Sequence, residues 1–336
     1  MKDIIPIIVS ILLLGEPQYT PLELEIMADL DALGTDTDFT LTVVADNGRI
    51  LTYSTGNSSL ITPYESASTS KWVTAAVIMW LVQNQTLSLD DNPQDYISGW
   101  PVTGNLSQIT LRHLLSFTSG MSSTPGCVNL PNADFEACVA RIAVDNITGS
   151  EPGEDFYYAS THMQVAGLMA IKALNVASWE QVFALFKTEF GLFADSYYNL
   201  PSATNPRLAG GMTWTASDYR QFLNKLKALE IIDQTGWSMM SSNQITMAQI
   251  VNSPGLNEWR YGLGLWLECP VSAPNCTNAD RVSSPGAYGA YPFIDYQYNY
   301  YGLIARQGEL GTFDNGYAVF TSISAKLATW AMENQD

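Results

Sequence analysis

The sequence predicts an α+β fold: one antiparallel sheet built from both chain ends and flanked by helices, with a mostly helical region inserted between its halves. Three observations carry this. A hairpin pattern occupies residues 39–54, helical periodicity dominates the middle of the chain, and strand-like segments return in the last third. With 336 residues the chain can bury a sizeable core. We expect residues 1–19 to be an export signal or N-terminal extension and residues 20–336 to form a single domain. Its sheet lobe is expected at about 20–66 and 256–336 and its helical lobe at about 67–255.

Residues 39–45 alternate with threonine, Asp46-Asn47-Gly48 supplies turn chemistry, and residues 50–54 return. Residues 70–83 read as a helix that is apolar on most faces, which places it inside the protein. Helices and loops alternate from about 111 to 229, with apolar residues at helical spacing over 218–229. Residues 261–267, 298–304 and 317–322, rich in tyrosine, leucine, isoleucine and valine, read as strands. A helix over about 324–334 closes the chain and should cover one face of the sheet. A ligand site is expected in the cleft between the lobes.

Fifteen basic residues face 33 acidic ones, a net charge of −18. Such a surface repels phosphate backbones and anionic lipids, so neither nucleic acid nor a membrane surface is an expected partner. Residues 4–14 are apolar but too short to span a bilayer, which needs about 20 residues. They follow Lys2 and end at Gly15-Glu16-Pro17, the pattern of an export signal, although Asp3 weakens its positive end. The four cysteines allow three connectivities. The simplest closes two short loops, Cys127 to Cys138 and Cys269 to Cys276, and suits an oxidising, secreted or periplasmic setting. A zinc site competes poorly, because no C-x-x-C pair occurs and His113 and His162 are the only imidazoles.

Several chemistries have no signature. The chain has no G-x-S-x-G elbow, no P-loop, no H-E-x-x-H, and no third glycine after Gly262-Leu263-Gly264. What it has is Ser68-Thr69-Ser70-Lys71 at the start of the 70–83 helix. Residues i and i+3 share a helix face, which brings Ser68 and Lys71 within hydrogen-bonding reach. Trp72, Val73, Ala75, Ala76 and Val77 wall the lysine in, and desolvation lowers an ammonium pKa. A neutral lysine can take the serine proton, and the helix N-terminus favours a developing oxyanion. A serine at a helix start is more often a plain N-cap, so spacing alone is a weak signal.

The segments around this pair resemble the serine beta-lactamase-like family, which includes class C beta-lactamases, D-alanyl-D-alanine carboxypeptidases, D-aminopeptidases and related carboxylesterases. The resemblance rests on residues 66–96, on Ile109-Thr110-Leu111-Arg112-His113-Leu114-Leu115-Ser116-Phe117-Thr118-Ser119-Gly120-Met121, on Pro152-Gly153-Glu154-Asp155-Phe156-Tyr157-Tyr158, and on Ala209-Gly210-Gly211-Met212. It implies a beta-lactamase/transpeptidase-like fold, with Ser68 as nucleophile and Lys71 as its base. It also implies Tyr158, in Tyr158-Ala159-Ser160, as the residue that moves protons to the leaving group, with Ser160 completing that motif. Tyr157 is the neighbouring register. The family's third motif is best matched by Ser284-Pro285-Gly286 with Ala287 next. The backbone N–H groups of Ser68 and Ala287 would then form the oxyanion hole.

Here the sequence departs from the family pattern, which places lysine or histidine where Ser284 stands. Family members use that cation against a substrate carboxylate, whereas Ser284 offers a hydrogen bond without charge. Losing a charge-assisted contact costs about 1.5–3 kcal/mol of binding. The expected reaction is therefore acyl transfer to water on uncharged esters or amides, through an acyl-enzyme and with no cofactor or metal. The alternatives are a beta-lactamase, a D-amino-acid-specific peptidase, or a ligand-binding protein of the same fold without turnover. Arg281 is a strand residue expected to face away, and His113 and His162 are expected to be structural.

Overall fold

Thr20 opens the first helix of the computed structural model, which describes residues 19–336. The apolar segment 4–14 read as an export signal lies outside the described residues. Helix α1 (Pro21–Ala32) starts with a reciprocal cap. The Thr20 hydroxyl accepts from Glu23 N at 3.2 Å, and the Glu23 carboxylate accepts from Thr20 N at 2.8 Å. Such a cap contributes about 1 kcal/mol.

Seven strands form the main sheet: β1 (Phe39–Val44), β2 (Ile50–Ser54), β3 (Arg260–Tyr261), β4 (Trp266–Leu267), β5 (Arg281–Ser283), β6 (Tyr291–Asp295) and β7 (Tyr300–Arg306). Their order is β2-β1-β7-β6-β5-β4-β3, antiparallel throughout. Phe39 pairs with Arg306 and Val44 with Tyr301, so strands from the two chain ends meet in mid-sheet. The sheet is thus assembled from both ends of the chain around a helical middle, as the pattern of strands and helices predicts.

Successive residues of a strand point to opposite faces, and Tyr300 and Tyr301 show what covers each. The Tyr301 hydroxyl donates to Asn224 at 2.8 Å, on a helix of the inserted region, Ala216–Lys227. Tyr300 packs edge-on to Phe293, which lies 4.8 Å from Phe320 on the closing helix, Phe313–Glu333.

That closing helix corrects one expectation. Residues 317–322 are not a strand but its second and third turns. Tyrosine, valine, phenylalanine and threonine favour strands by propensity, yet Val319, Phe320, Ile323, Leu327 and Trp330 are buried at helical spacing. Packing that stripe on the sheet outweighs local preference. Residues 261–267 likewise form two short strands, β3 and β4, joined by a turn. Gly264 takes φ +78° there, and a Cβ would stand 2.3 Å from the Cβ of Ala75.

The helix expected over residues 70–83 forms as Ser70–Gln83. It is buried on nearly every face, and Trp72 meets Phe222 edge-on at 6.3 Å. Cys127 pairs with Cys138 and Cys269 with Cys276, each disulfide closing a short loop. Among the described residues, no helix is long and apolar enough to cross a membrane.

Candidate active site

Ser68 lies in a turn of 3₁₀-helix, Ala67–Thr69, just before the buried helix rather than in its first α-turn. Residues i and i+3 eclipse one another in such a turn, and Lys71 Nζ stands 2.9 Å from Ser68 Oγ. Ala67 has φ +48°, a left-handed conformation that costs a non-glycine residue about 1–2 kcal/mol. Surrounding bonds hold it. Ser70 Oγ donates to Ala67 O at 2.7 Å, Tyr219 Oη to Thr69 O at 2.9 Å, and Trp214 Nε1 to Thr69 Oγ1 at 2.7 Å. A strained turn clamped on several sides points one side chain in a fixed direction.

The Lys71 side chain is buried, and its amine also donates to the Ala209 carbonyl at 2.8 Å. Loss of hydration pushes its pKa down to about 7, and the charge of Arg207 adds to the effect. A neutral amine has two protons and one lone pair. Donation to Ala209 leaves the lone pair free to face Ser68 Oγ.

Tyr158 follows a short strand, Asp155–Tyr157, that pairs in parallel with Gln249–Asn252. Its N–H donates to Asn252 O at 3.0 Å, and Asn252 Nδ2 donates back to Tyr158 O at 2.9 Å. Its ring stacks on Trp266 at 5.4 Å and meets Phe117 edge-on at 5.2 Å. Lys71 Nζ lies 4.4 Å from the ring centroid. Burial raises the phenol pKa far above its ordinary value, and the side chains of Ser68 and Trp266 pull only partly the other way.

Ser68, Tyr158, Gly286 and Ala287 line one cleft of about 500 Å³, with Lys71 directly behind Ser68. The N–H groups of Ser68 and Ala287 have no acceptor among the described residues. Gly286 is dictated by close approach, since a Cβ there would meet the Ser66 carbonyl at 2.2 Å. Ser284 and Ser160 do not line the cleft. The Ser284 hydroxyl instead donates to the Ser68 carbonyl at 3.2 Å, and Ser160 precedes the helix Thr161–Ala173 without a capping bond. Arg281 faces away: it pairs with Asp295 at 2.8 Å and Glu268 at 3.2 Å and lies over Phe320.

Both histidines have structural partners. His162 is fully buried between the Ser119 hydroxyl and the Tyr157 carbonyl, each at 2.9 Å. Burial pushes its pKa down to about 3, so Nε2–H donates to Tyr157 and Nδ1 accepts from Ser119. His113 Nδ1 accepts from Thr110 N at 3.1 Å, capping the short helix Leu111–Leu115. Sequence reasoning missed Ala209 as the second partner of Lys71, and it missed the wall of Trp259, Trp266, Phe313 and Asp314. The Ala209-Gly210-Gly211 segment carried a signal for the first. The wall had none, because its residues are far apart in sequence.

This fold and this cleft present a serine against a buried lysine. The chain belongs to the beta-lactamase family, whose model, described as Beta-lactamase, matches residues 40–320. A candidate beta-lactamase from Bacteroides dorei DSM 17855 is 27% identical, with a TM-score of 0.76 over 92% of this chain and 98% of that one. Two more distant structures share the fold. EstCE1, described as a hydrolase with promiscuous acyltransferase activity, is 16% identical, with a TM-score of 0.71 over 93% of this chain and 97% of its own. A D-amino acid amidase from Ochrobactrum anthropi SV3 is 18% identical, with a TM-score of 0.69 over 91% and 99%. No curated protein matches the chain in sequence.

Proposed function

We propose that this protein is a serine hydrolase that forms an acyl-enzyme on Ser68 and acts on esters or amides lacking a carboxylate. The observation that carries this reading is the buried Lys71 amine, 2.9 Å from Ser68 Oγ beside an open cleft. Ser68 Oγ attacks the substrate carbonyl while the neutral Lys71 amine takes its proton. The Ser68 and Ala287 N–H groups receive the oxyanion. The proton returns through the Tyr158 hydroxyl to the leaving group, and water then hydrolyses the acyl-serine. The raised Tyr158 pKa supports this role, because the phenol stays protonated at neutral pH.

Substrate class follows from the cleft. Among the described residues its wall contains no lysine, arginine or histidine, and the Ser284 hydroxyl is engaged by Ser68. A penicillin-like or C-terminal carboxylate would therefore find no charged partner. The two disulfides fit export to an oxidising compartment, which completes the proposal.

Initial rates on short-chain nitrophenyl esters and on a chromogenic cephalosporin test it. The expected result is a higher kcat/KM on the esters, falling by roughly 10³-fold or more in S68A. Faster cephalosporin turnover would make the protein a beta-lactamase using the same residues. Ester turnover that survives in S68A would reject the site.

A further inference from the structure

We infer that the cleft selects substrates carrying a positive charge, a quaternary or protonated amine, held between the Asp314 carboxylate and an aromatic wall of Trp259, Trp266 and Phe313. This rests on the reading of Ser68 as the nucleophile and narrows its substrate class.

Asp314 is the one charged side chain among the residues that line the cleft. It is exposed and has no hydrogen bond or ion pair among the described residues. Its place in the first turn of the closing helix gives it an ordinary role with the helix dipole. That role does not require it to face the same cavity as Ser68. On the same cleft wall, Trp259 lies 6.1 Å from both Trp266 and Phe313, and Trp266 is stacked against Tyr158. Aromatic side chains lining a cleft with an unpaired carboxylate suit an organic cation.

Arg281 and Arg306 of the sheet have other partners. Arg306 is buried and pairs with Asp36 at 2.8 Å. Arg281 is committed to Glu268 and Asp295 on the sheet. Lys71, behind Ser68, has a pKa of about 7 and is largely uncharged in mildly alkaline solution. A net charge of −18 adds long-range attraction for cationic substrates.

Two matched ester pairs test the inference, with each rate referred to the ester's spontaneous hydrolysis. Butyrylcholine against 3,3-dimethylbutyl butyrate places the charge on the alcohol side. The nitrophenyl ester of trimethylglycine against that of 3,3-dimethylbutanoate places it on the acyl side. In at least one pair the cationic ester should be favoured by about tenfold in kcat/KM. That ratio should collapse towards one in D314N and return in D314E, with circular dichroism melts reporting the fold of each variant. Equal or inverted preference in both pairs, or a preference unchanged in D314N, would overturn the assignment; the latter would trace selectivity to overall charge. Calorimetric titration of phenyltrimethylammonium into S68A protein reads the charge site without turnover. Binding that disappears in S68A/D314N supports the site even if Ser68 proves not to acylate, and absence of binding to S68A rejects it.

Discussion

The Ser284 hydroxyl donates to the Ser68 carbonyl at 3.2 Å, tying the end of β5 to the turn that presents Ser68 Oγ. The residue that the sequence reading matched to the family's lysine or histidine position thus braces the serine turn. Ser284→Ala removes a buried hydroxyl-to-carbonyl bond and should cost about 1 kcal/mol in urea unfolding. We also expect kcat/KM to fall by a few-fold as the turn loosens. Ser284→Thr, which keeps the hydroxyl, should recover both.

Acylation should depend on pH through Lys71. Its pKa of about 7 means the amine is protonated below that value and free to accept a proton above it. The acylation rate should therefore rise through pH 7 and level off above. The sign for stability follows separately. The unfolded lysine titrates near 10.5 and the folded one near 7, so between these values the unfolded state binds more protons. Stability from this group rises with pH across that window and is penalised below it, by an amount on the order of a few kcal/mol. Lys71→Met should abolish turnover, leave neutral-pH stability undiminished, and flatten the difference between unfolding at pH 7 and pH 9.

Tyr158→Phe keeps the ring against Trp266 and Phe117 and removes only the hydroxyl. We expect kcat to fall by about 10²–10⁴ with little change in melting temperature. The acidic limb near pH 7 should persist, since it belongs to Lys71.

His162 donates to the Tyr157 carbonyl, one residue before Tyr158, and burial keeps its pKa down at about 3. His162→Gln should lower kcat while leaving the pH midpoint where it is. A shift of that midpoint would mark His162 as the titrating base instead.

Much of the fold was legible because its signals are local. The alternation at 39–54 and the continuous apolar character of 70–83 need no partner to be read. Thr20-Pro21-Leu22-Glu23 carried a helix-start signature that sequence reasoning passed over. Residues 317–322 misled because β-branched and aromatic side chains serve equally well on a helix packed against a sheet. The Ser68–Lys71 contact was legible from a three-residue spacing. The Ala209 carbonyl, the Ser284 brace and the aromatic wall join residues far apart in sequence, and only the tertiary fold brings them together.

The most direct test is intact-protein mass spectrometry after exposure to a fluorophosphonate, for wild-type protein and S68A. One adduct per wild-type chain, mapped to Ser68, should form, faster at pH 8 than at pH 6, with none on S68A. An adduct that persists on S68A, or a wild-type protein that stays unlabelled, would contradict Ser68 as the nucleophile.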